Sequence, residues 1–259
     1  MKLASLGSGS KGNATLIASG TTLVLVDCGF TIKETCARMA RLGLSPADLT
    51  AILVTHEHGD HIRGVLPLAR RFRLPVHLSF GTLRAISHAG SRHRVEGVEL
   101  AELRPGRRLQ LGDLDVLPVP VPHDAWEPVQ FVFEQGRRRA GVLTDLGSLT
   151  AHVVEAYRDC DALLLECNHD LGMLAAGPYP LSLKRRVGGD RGHLNNLQAG
   201  NMVRQLTQPR LQHLVLSHLS EQNNTPDHAL AAVAEAGLDD PRRVRVACQE
   251  GGFDWLEVQ

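Results

Sequence analysis

The sequence predicts a layered α/β protein, and three observations carry that prediction. Short apolar runs of strand length recur along the chain, helical stretches flank them, and several of the runs end in polar residues. A chain of 259 residues, 43% of them hydrophobic, is long enough for a substantial core. It contains no internal repeat, no low-complexity linker and no composition break, so residues 1–259 are expected to form one domain.

The elements follow in order. Leu3–Leu6, Ala14–Ala18 and Leu23–Val26 read as short strands separated by Gly-rich turns. From Thr31 to Leu42, the apolar positions Ile32, Cys36, Met39 and Leu42 keep a helical period, and Gly43 stops it. Ala51–Val54 is a buried strand that runs directly into a histidine-rich segment. Ile62–Phe72 reads as a helix that Pro67 kinks or delays. Strand and helix alternate again through Val76–Leu78 and Gly81–His88. Short strands are then expected at Leu109–Leu111, Val116–Leu117, Val119–Val121 and Val129–Val132. Further apolar strands are Val142–Leu143, Ala162–Leu165 and Leu211–Leu216. Helices are expected at Leu149–Tyr157, Leu194–Leu206 and Pro226–Ala236.

Composition excludes several classes of function. No stretch approaches the roughly 20 apolar residues that cross a bilayer, and Met1–Leu6 lacks the pattern of a secretory signal, so no membrane partner is expected. Five cysteines, Cys28, Cys36, Cys160, Cys167 and Cys248, are scattered without Cys-x-x-Cys spacing. That pattern suits a reducing cytoplasm and argues against a disulfide scaffold or a zinc ribbon. With 28 basic and 28 acidic residues, the net charge is zero. Any nucleic-acid partner must therefore meet a local basic patch, such as Lys184-Arg185-Arg186 with Arg191.

The chemistry is concentrated in His56-Glu57-His58-Gly59-Asp60-His61. Four ligand-type side chains sit there within six residues, at a turn from strand to helix that projects them toward one point. None contributes apolar packing, and imidazole with carboxylate is the donor set of zinc, manganese or iron. One turn cannot complete two metal spheres. Further candidates stand at the ends of later apolar strands: His123 after Val121-Pro122, Asp145 after Leu143-Thr144, and His218 after Leu216-Ser217.

The ordered set His56, His58, Asp60, His61, His123, Asp145 and His218 resembles the metal-binding motif series of the metallo-β-lactamase superfamily. That resemblance implies a four-layer αββα sandwich holding two divalent ions (Zn, Mn or Fe) at one edge. His56, His58 and His123 would hold one ion, Asp60, His61 and His218 the other, with Asp145 bridging. Paired ions lower the pKa of a bridging water and polarise the substrate oxygen, so the implied chemistry is hydrolysis by a metal-bridging hydroxide, with Asp60 and Asp145 as catalytic ligands. An aspartate in place of a cysteine at the bridge disfavours antibiotic-cleaving lactamases. Glyoxalase II carries an added helical domain for which no chain is left over. Lactonases place a tyrosine beside the metals, for which only Tyr157 and Tyr179 are available.

Four further segments narrow the resemblance: Gly7-Ser8-Gly9-Ser10-Lys11-Gly12-Asn13-Ala14, Leu165-Glu166-Cys167-Asn168-His169-Asp170, Gly192-His193-Leu194-Asn195-Asn196, and Leu216 through Pro226. Together they resemble the YycJ/WalJ type of small metallo-β-lactamase-fold proteins, regarded as DNA exonucleases acting from the 5′ end. The chain departs from that pattern only in having Asn195 where a serine is expected. In the first segment a Gly/Ser-rich turn can offer backbone N–H groups to an anion, with Ser8, Ser10, Lys11 and Asn13 as substrate contacts. His193, ahead of a helix and near Arg186, suits a phosphate cradle and can donate a proton to the leaving oxygen. Asn168, His169 and Asn223 are further candidates for lining the site. Two rivals remain: a small-molecule phosphodiesterase or lactonase, and a non-catalytic metal- and nucleic-acid-binding protein. A nuclease needs an arginine-bearing groove beside the metals, whereas a lactonase needs a small apolar pocket.

Overall fold

A computed structural model describes residues 1–88 and 94–259. Its two sheets contain seven described strands each. The first sheet runs, in spatial order, β14 (Phe253–Glu257), β1 (Lys2–Gly7), β2 (Ala14–Ser19), β3 (Thr22–Val26), β4 (Ala51–Leu53), β5 (Val76–Ser79) and β6 (Leu100–Leu103). The second runs β13 (Val244–Val246), β12 (His213–Ser217), β11 (Ala162–Glu166), β10 (Arg138–Leu143), β9 (Val129–Gln135), β8 (Leu114–Pro120) and β7 (Leu109–Leu111). β3 through β6 are parallel, as are β10 through β13, while the remaining neighbours are antiparallel.

The residue pattern of the strands produces the layers. In β11 every residue is buried, because successive side chains face different layers. Leu164 and Ala162 join Phe131, Phe133, Val26 and Leu53 in the core between the sheets. Leu163 and Leu165 face outward onto the helices α5 (Ala151–Tyr157), α8 (Asn196–Gln205) and α9 (Pro226–Ala234), meeting Val153, Met202 and Val233. On the other sheet Leu25 and Ile52 do the same against α1 (Ile32–Ala40) and α3 (Val65–Phe72), touching Met39 and Leu68. Helix, sheet, sheet and helix therefore stack as the four-layer αββα sandwich. Among the described residues no helix is long and apolar enough to cross a membrane.

Local signals account for most boundaries. Thr31 caps α1 with a reciprocal bond to Glu34, one residue inside the expected start. The stretch expected as one helix from Ile62 splits into α2 (Gly59–Ile62) and α3, with Pro67 in the first turn of α3 where no N–H is needed. β8 joins what reads in sequence as two strands. Its Pro118 and Pro120 pair only with β9, beyond the three residues of β7. Among the described residues six elements lie outside the expected set: β6, β13, β14, α6 (Leu171–Ala176), α7 (Leu181–Val187) and a short 3₁₀ turn at Pro46–Asp48. The three strands are short edge elements that complete a ladder, and α7 buries none of its residues.

Candidate metal centre and cleft

The candidate donors stand at the C-terminal ends of strands: β3, β4, β10, β11 and β12 of the parallel runs, and β8, which lies antiparallel to its neighbours. Asp27 follows β3, the His56–His61 run follows β4, His123 follows β8, Asp145 follows β10 and His218 follows β12; Glu166 ends β11. Among the described residues four non-glycine residues have positive φ, and three are in this set: Asp27 at 60°, Asp145 at 53° and His218 at 54°. Such backbone is costly for a side-chain-bearing residue and persists where packing over-determines it, as it does around functional sites. Here it turns each side chain out of its strand toward the shared edge. Gly29 permits the close packing behind the run: a Cβ there would lie 1.9 Å from the Asp60 carbonyl oxygen.

Three nitrogens converge first. His56 Nε2 lies 2.9 Å and His123 Nε2 lies 3.2 Å from His58 Nδ1. In a tetrahedral zinc site, bonds of about 2.0 Å set ligand nitrogens roughly 3.3 Å apart, so this spacing suits a common ion. A second group comprises Asp60, His61 and His218, with His61 Nε2 at 3.4 Å and His218 Nε2 at 3.6 Å from Asp60 Oδ2. Asp145 stands between the groups: its Oδ2 is 3.2 Å from His61 Nε2, and its carboxylate also groups with His56. Among the described residues the buried Asp145 Oδ2 and His218 Nε2 have no hydrogen-bond partner.

The far nitrogens are held from behind. Thr55 Oγ1 meets His56 Nδ1 at 2.9 Å, Asp27 Oδ2 meets His61 Nδ1 at 2.8 Å, the Gly192 carbonyl meets His123 Nδ1 at 2.9 Å, and Glu166 Oε1 meets His218 Nδ1 at 2.9 Å. An acceptor behind a ligand histidine fixes its tautomer and leaves the opposite nitrogen free to bind a cation. The donor set therefore fits divalent ions.

The electrostatics agree. Burial alone would raise the Asp145 carboxyl, but His218 and His61 outweigh it and hold the group well below its usual range. Burial would likewise lower His218, yet Asp145, Asp60 and Glu166 raise it to about 10. In His56 burial dominates and pushes the imidazole well below its ordinary value. Around His218 the buried carboxylates thus create a field that favours positive charge, whereas at His56 desolvation prevails.

Glu166 links this centre to His193. Fully buried, it accepts from His193 Nδ1 at 2.8 Å, from His218 Nδ1 at 2.9 Å, and from the Leu146 and Leu194 amides at 3.1 and 3.0 Å. Burial opposes its ionisation, but His193 and His218 bring it to about 2. His193 is itself raised: burial would lower it, and Glu166 and Asp145 more than compensate.

A cleft of 330 Å³ opens onto the cluster. Its lining includes Ser10, His58, Asp60, Asp145, Asn168, Tyr179, Arg186, His193 and His218. Of the other expected contacts, Ser8 lies behind the cleft, its Oγ accepting from the His218 amide at 2.9 Å. Asn13 touches Asp60 and His61 and bonds Gly9. The Lys11 ammonium turns to Glu221 at 2.8 Å. His169 and Asn223 are fully buried and do not line it. The Gly/Ser turn spends its amides internally: Ser8, Gly9, Lys11, Gly12 and Asn13 all have protein acceptors. The start of α8 is closed too, since Asn195 and Gln198 cap each other.

Three residues outside the expected set belong to the centre: Asp27, Glu166 and Asp124. Asp124 is ion-paired with Arg186 Nε and lies 3.5 Å from His123 Nε2, which tethers α7 to the cluster. Asp27 and Glu166 carried a usable signal, an acid at the end of an apolar strand.

An αββα sandwich with paired His/Asp groups at the strand ends defines the metallo-β-lactamase fold of metal-dependent hydrolases. A family profile described as "Beta-lactamase superfamily domain" matches residues 22–219. Exodeoxyribonuclease YycJ of Bacillus anthracis is 34% identical over 230 residues, covering 89% of this chain and 86% of that protein. Exodeoxyribonuclease WalJ of Streptococcus pneumoniae is 32% identical over 228 residues, covering 88% and 85%. Among solved structures, the metallo-β-lactamase fold protein YhfI of Bacillus subtilis covers 99% of both chains with a TM-score of 0.70 at 21% identity. The chain belongs to the β-lactamase superfamily, in the family that includes YycJ and WalJ, and is a metal-dependent hydrolase.

Proposed function

We propose that this hydrolase is a DNA exonuclease that removes nucleotides from the 5′ end and works with two divalent ions, Zn, Mn or Fe. The observation that carries the proposal is the character of the cleft. Most of the residues that line it are polar or charged, Arg186 among them, whereas a lactonase calls for a small apolar pocket. The names of the two relatives above point the same way.

His56, His58 and His123 would hold one ion, and Asp60, His61 and His218 the other, with Asp145 shared. Bound there, the ions supply an activated water and neutralise charge developing on the phosphoryl oxygens. Asp27, Thr55 and Glu166 keep the imidazoles aimed at those positions. Arg186 meets the phosphate at the cleft wall, and Ser10 and Asn168 line its path. His193 donates its Nδ1–H to the Glu166 carboxylate, which leaves Nε2 as the nitrogen that can serve substrate. Glu166 and Asp145 raise its proton affinity, so His193 holds a proton and gives it from Nε2 to the departing 3′ oxygen as the P–O bond breaks.

The test is digestion of linear duplex DNA carrying a different label at each end, with Mn²⁺ or Zn²⁺ and an Asp145→Asn control. Loss of the 5′ label as mononucleotides, absent in the variant, is the expected result. DNA left intact under every metal, while bis-(p-nitrophenyl) phosphate or a lactone is cleaved, overturns the DNA assignment.

A further inference from the structure

The two most exposed aromatic side chains are carried by segments that adjoin the donor cluster. Trp126 is 63% exposed and Phe80 is 52% exposed, while Phe30, Phe131 and Phe133 are buried. Trp126 lies only three residues beyond His123, a reach of at most roughly 10 Å, or about three base steps along one strand of DNA. The segments bearing the two aromatics pack directly together. A Cβ on Gly81 would lie 2.9 Å from the Glu127 amide nitrogen and 3.1 Å from the Trp126 carbonyl carbon.

The loop is also held firmly. Glu57, the acid inside the His56–His61 run that the hydrolytic chemistry leaves unused, accepts the Trp126 amide on Oε1 at 2.9 Å. Glu127 Oε2 accepts the Gly81 amide at 2.7 Å, and its carbonyl accepts from Ser79 Oγ at 2.7 Å. With its backbone amide anchored to the metal-bearing turn and its indole left facing water, Trp126 presents a flat apolar surface at a set place beside the cluster. Of the acids beside Trp126, Glu57 and Glu127 are turned onto backbone amides and Asp124 is paired with Arg186. The Arg84 guanidinium lies 5.9 Å from the Phe80 ring centroid and Arg186 lines the cleft, an arrangement that suits a flat surface attached to an anion.

We infer that Trp126 is a stacking platform for a nucleobase of the strand being digested, that Phe80 extends it, and that Glu57 positions it. This rests on the DNA assignment proposed above. Base-on-aromatic stacking tolerates any sequence because every base has a π-face, which suits an exonuclease that must read none. It also gives Glu57 a role distinct from that of its four metal-type neighbours.

The experiment compares the metal-loaded full chain with Trp126→Ala and Trp126→Phe. One substrate is an ordinary oligonucleotide; the other carries four tetrahydrofuran abasic residues at its 5′ end. On ordinary DNA, Trp126→Ala is expected to lower kcat/KM roughly tenfold, chiefly through KM, with Trp126→Phe recovering most of the loss. On the abasic end, wild type and Trp126→Ala should agree within about twofold, because the removed partner is already absent. Equal losses on both substrates, or no loss on ordinary DNA, overturn the platform while leaving the exonuclease intact. A wild type that digests neither substrate, despite cleaving bis-(p-nitrophenyl) phosphate, overturns the DNA assignment itself and the platform with it. Unchanged melting temperature and metal content exclude a folding defect, as expected for a side chain standing in solvent.

Discussion

Replacing Glu166 by glutamine exchanges one oxygen for an NH₂ group with almost no change in shape, yet neither orientation of the amide fits its surroundings. The carboxylate is fully buried and accepts four bonds, Oε1 from His193 and His218, Oε2 from the Leu146 and Leu194 amides. With its NH₂ toward the backbone, glutamine sets donor against donor at both amides. With its NH₂ toward the histidines, it requires Nδ1 to accept, so the proton moves to Nε2 and His218 loses its metal-facing lone pair. Two orphaned buried donors at roughly 1–3 kcal/mol each predict a destabilisation of about 2–6 kcal/mol. Loss of the support behind His218 predicts a fall of about 10–100-fold in affinity for the ion nearest it. Urea unfolding of the metal-free proteins reads the first quantity, and competitive metal titration reads the second. Unfolding within about 0.5 kcal/mol of wild type, together with unchanged metal affinity, would refute the assignment of Glu166 as the common anchor of His193 and His218.

Two further expectations follow from the same geometry. In metal-free protein, His218 sits at about 10 against an ordinary 6.5, so its stabilisation is complete below pH 6.5 and lost as pH rises through 10. Glu166 sits at about 2 against 4.5, so its share is present above pH 4.5 and lost as pH falls toward 2. The share of these two groups in the melting of the EDTA-treated protein should therefore be greatest between pH 4.5 and 6.5, whereas His56, held well below its ordinary value, loses its share as pH falls below 6.5. The zinc-loaded protein should peak at higher pH, because a ligand imidazole must be deprotonated; identical profiles would count against the metal centre. Arg186→Ala should weaken DNA binding across all sequences and reduce the slope of log affinity against log salt by about one. A salt titration by fluorescence anisotropy measures that slope, and an unchanged value would remove Arg186 from the phosphate path.

The β-lactamase superfamily fold and the cluster of candidate donors were both legible in the chain, for a shared reason. A parallel strand buried on both faces must be an uninterrupted apolar run, and a donor placed at its end is the first polar residue to follow. Leu143-Thr144-Asp145 and Leu216-Ser217-His218 display that join directly. The same rule would have found Asp27 and Glu166, which lack only the histidine context that draws attention to the others. The edge strands β6, β13 and β14 were illegible because they bury little and exist through pairing with neighbours distant in sequence. Helix α7, with no buried residue, has no apolar stripe to read.

What only the tertiary structure decided is which polar groups remain free. The Gly/Ser turn and the start of α8 look like anion sites in sequence, where amides can be counted but their acceptors cannot. Those acceptors come from remote segments, as when Lys11 donates its amide to Gln249 and Leu194 to Glu166. Composition and order determined by themselves that His56, His58, Asp60, His61, His123, Asp145 and His218 follow apolar runs. Which donors share a position, which are braced from behind, and that Arg186 faces the cleft while Lys11 faces Glu221, depended on the packing of two sheets, because hydrogen bonds and ion pairs form between neighbours in space.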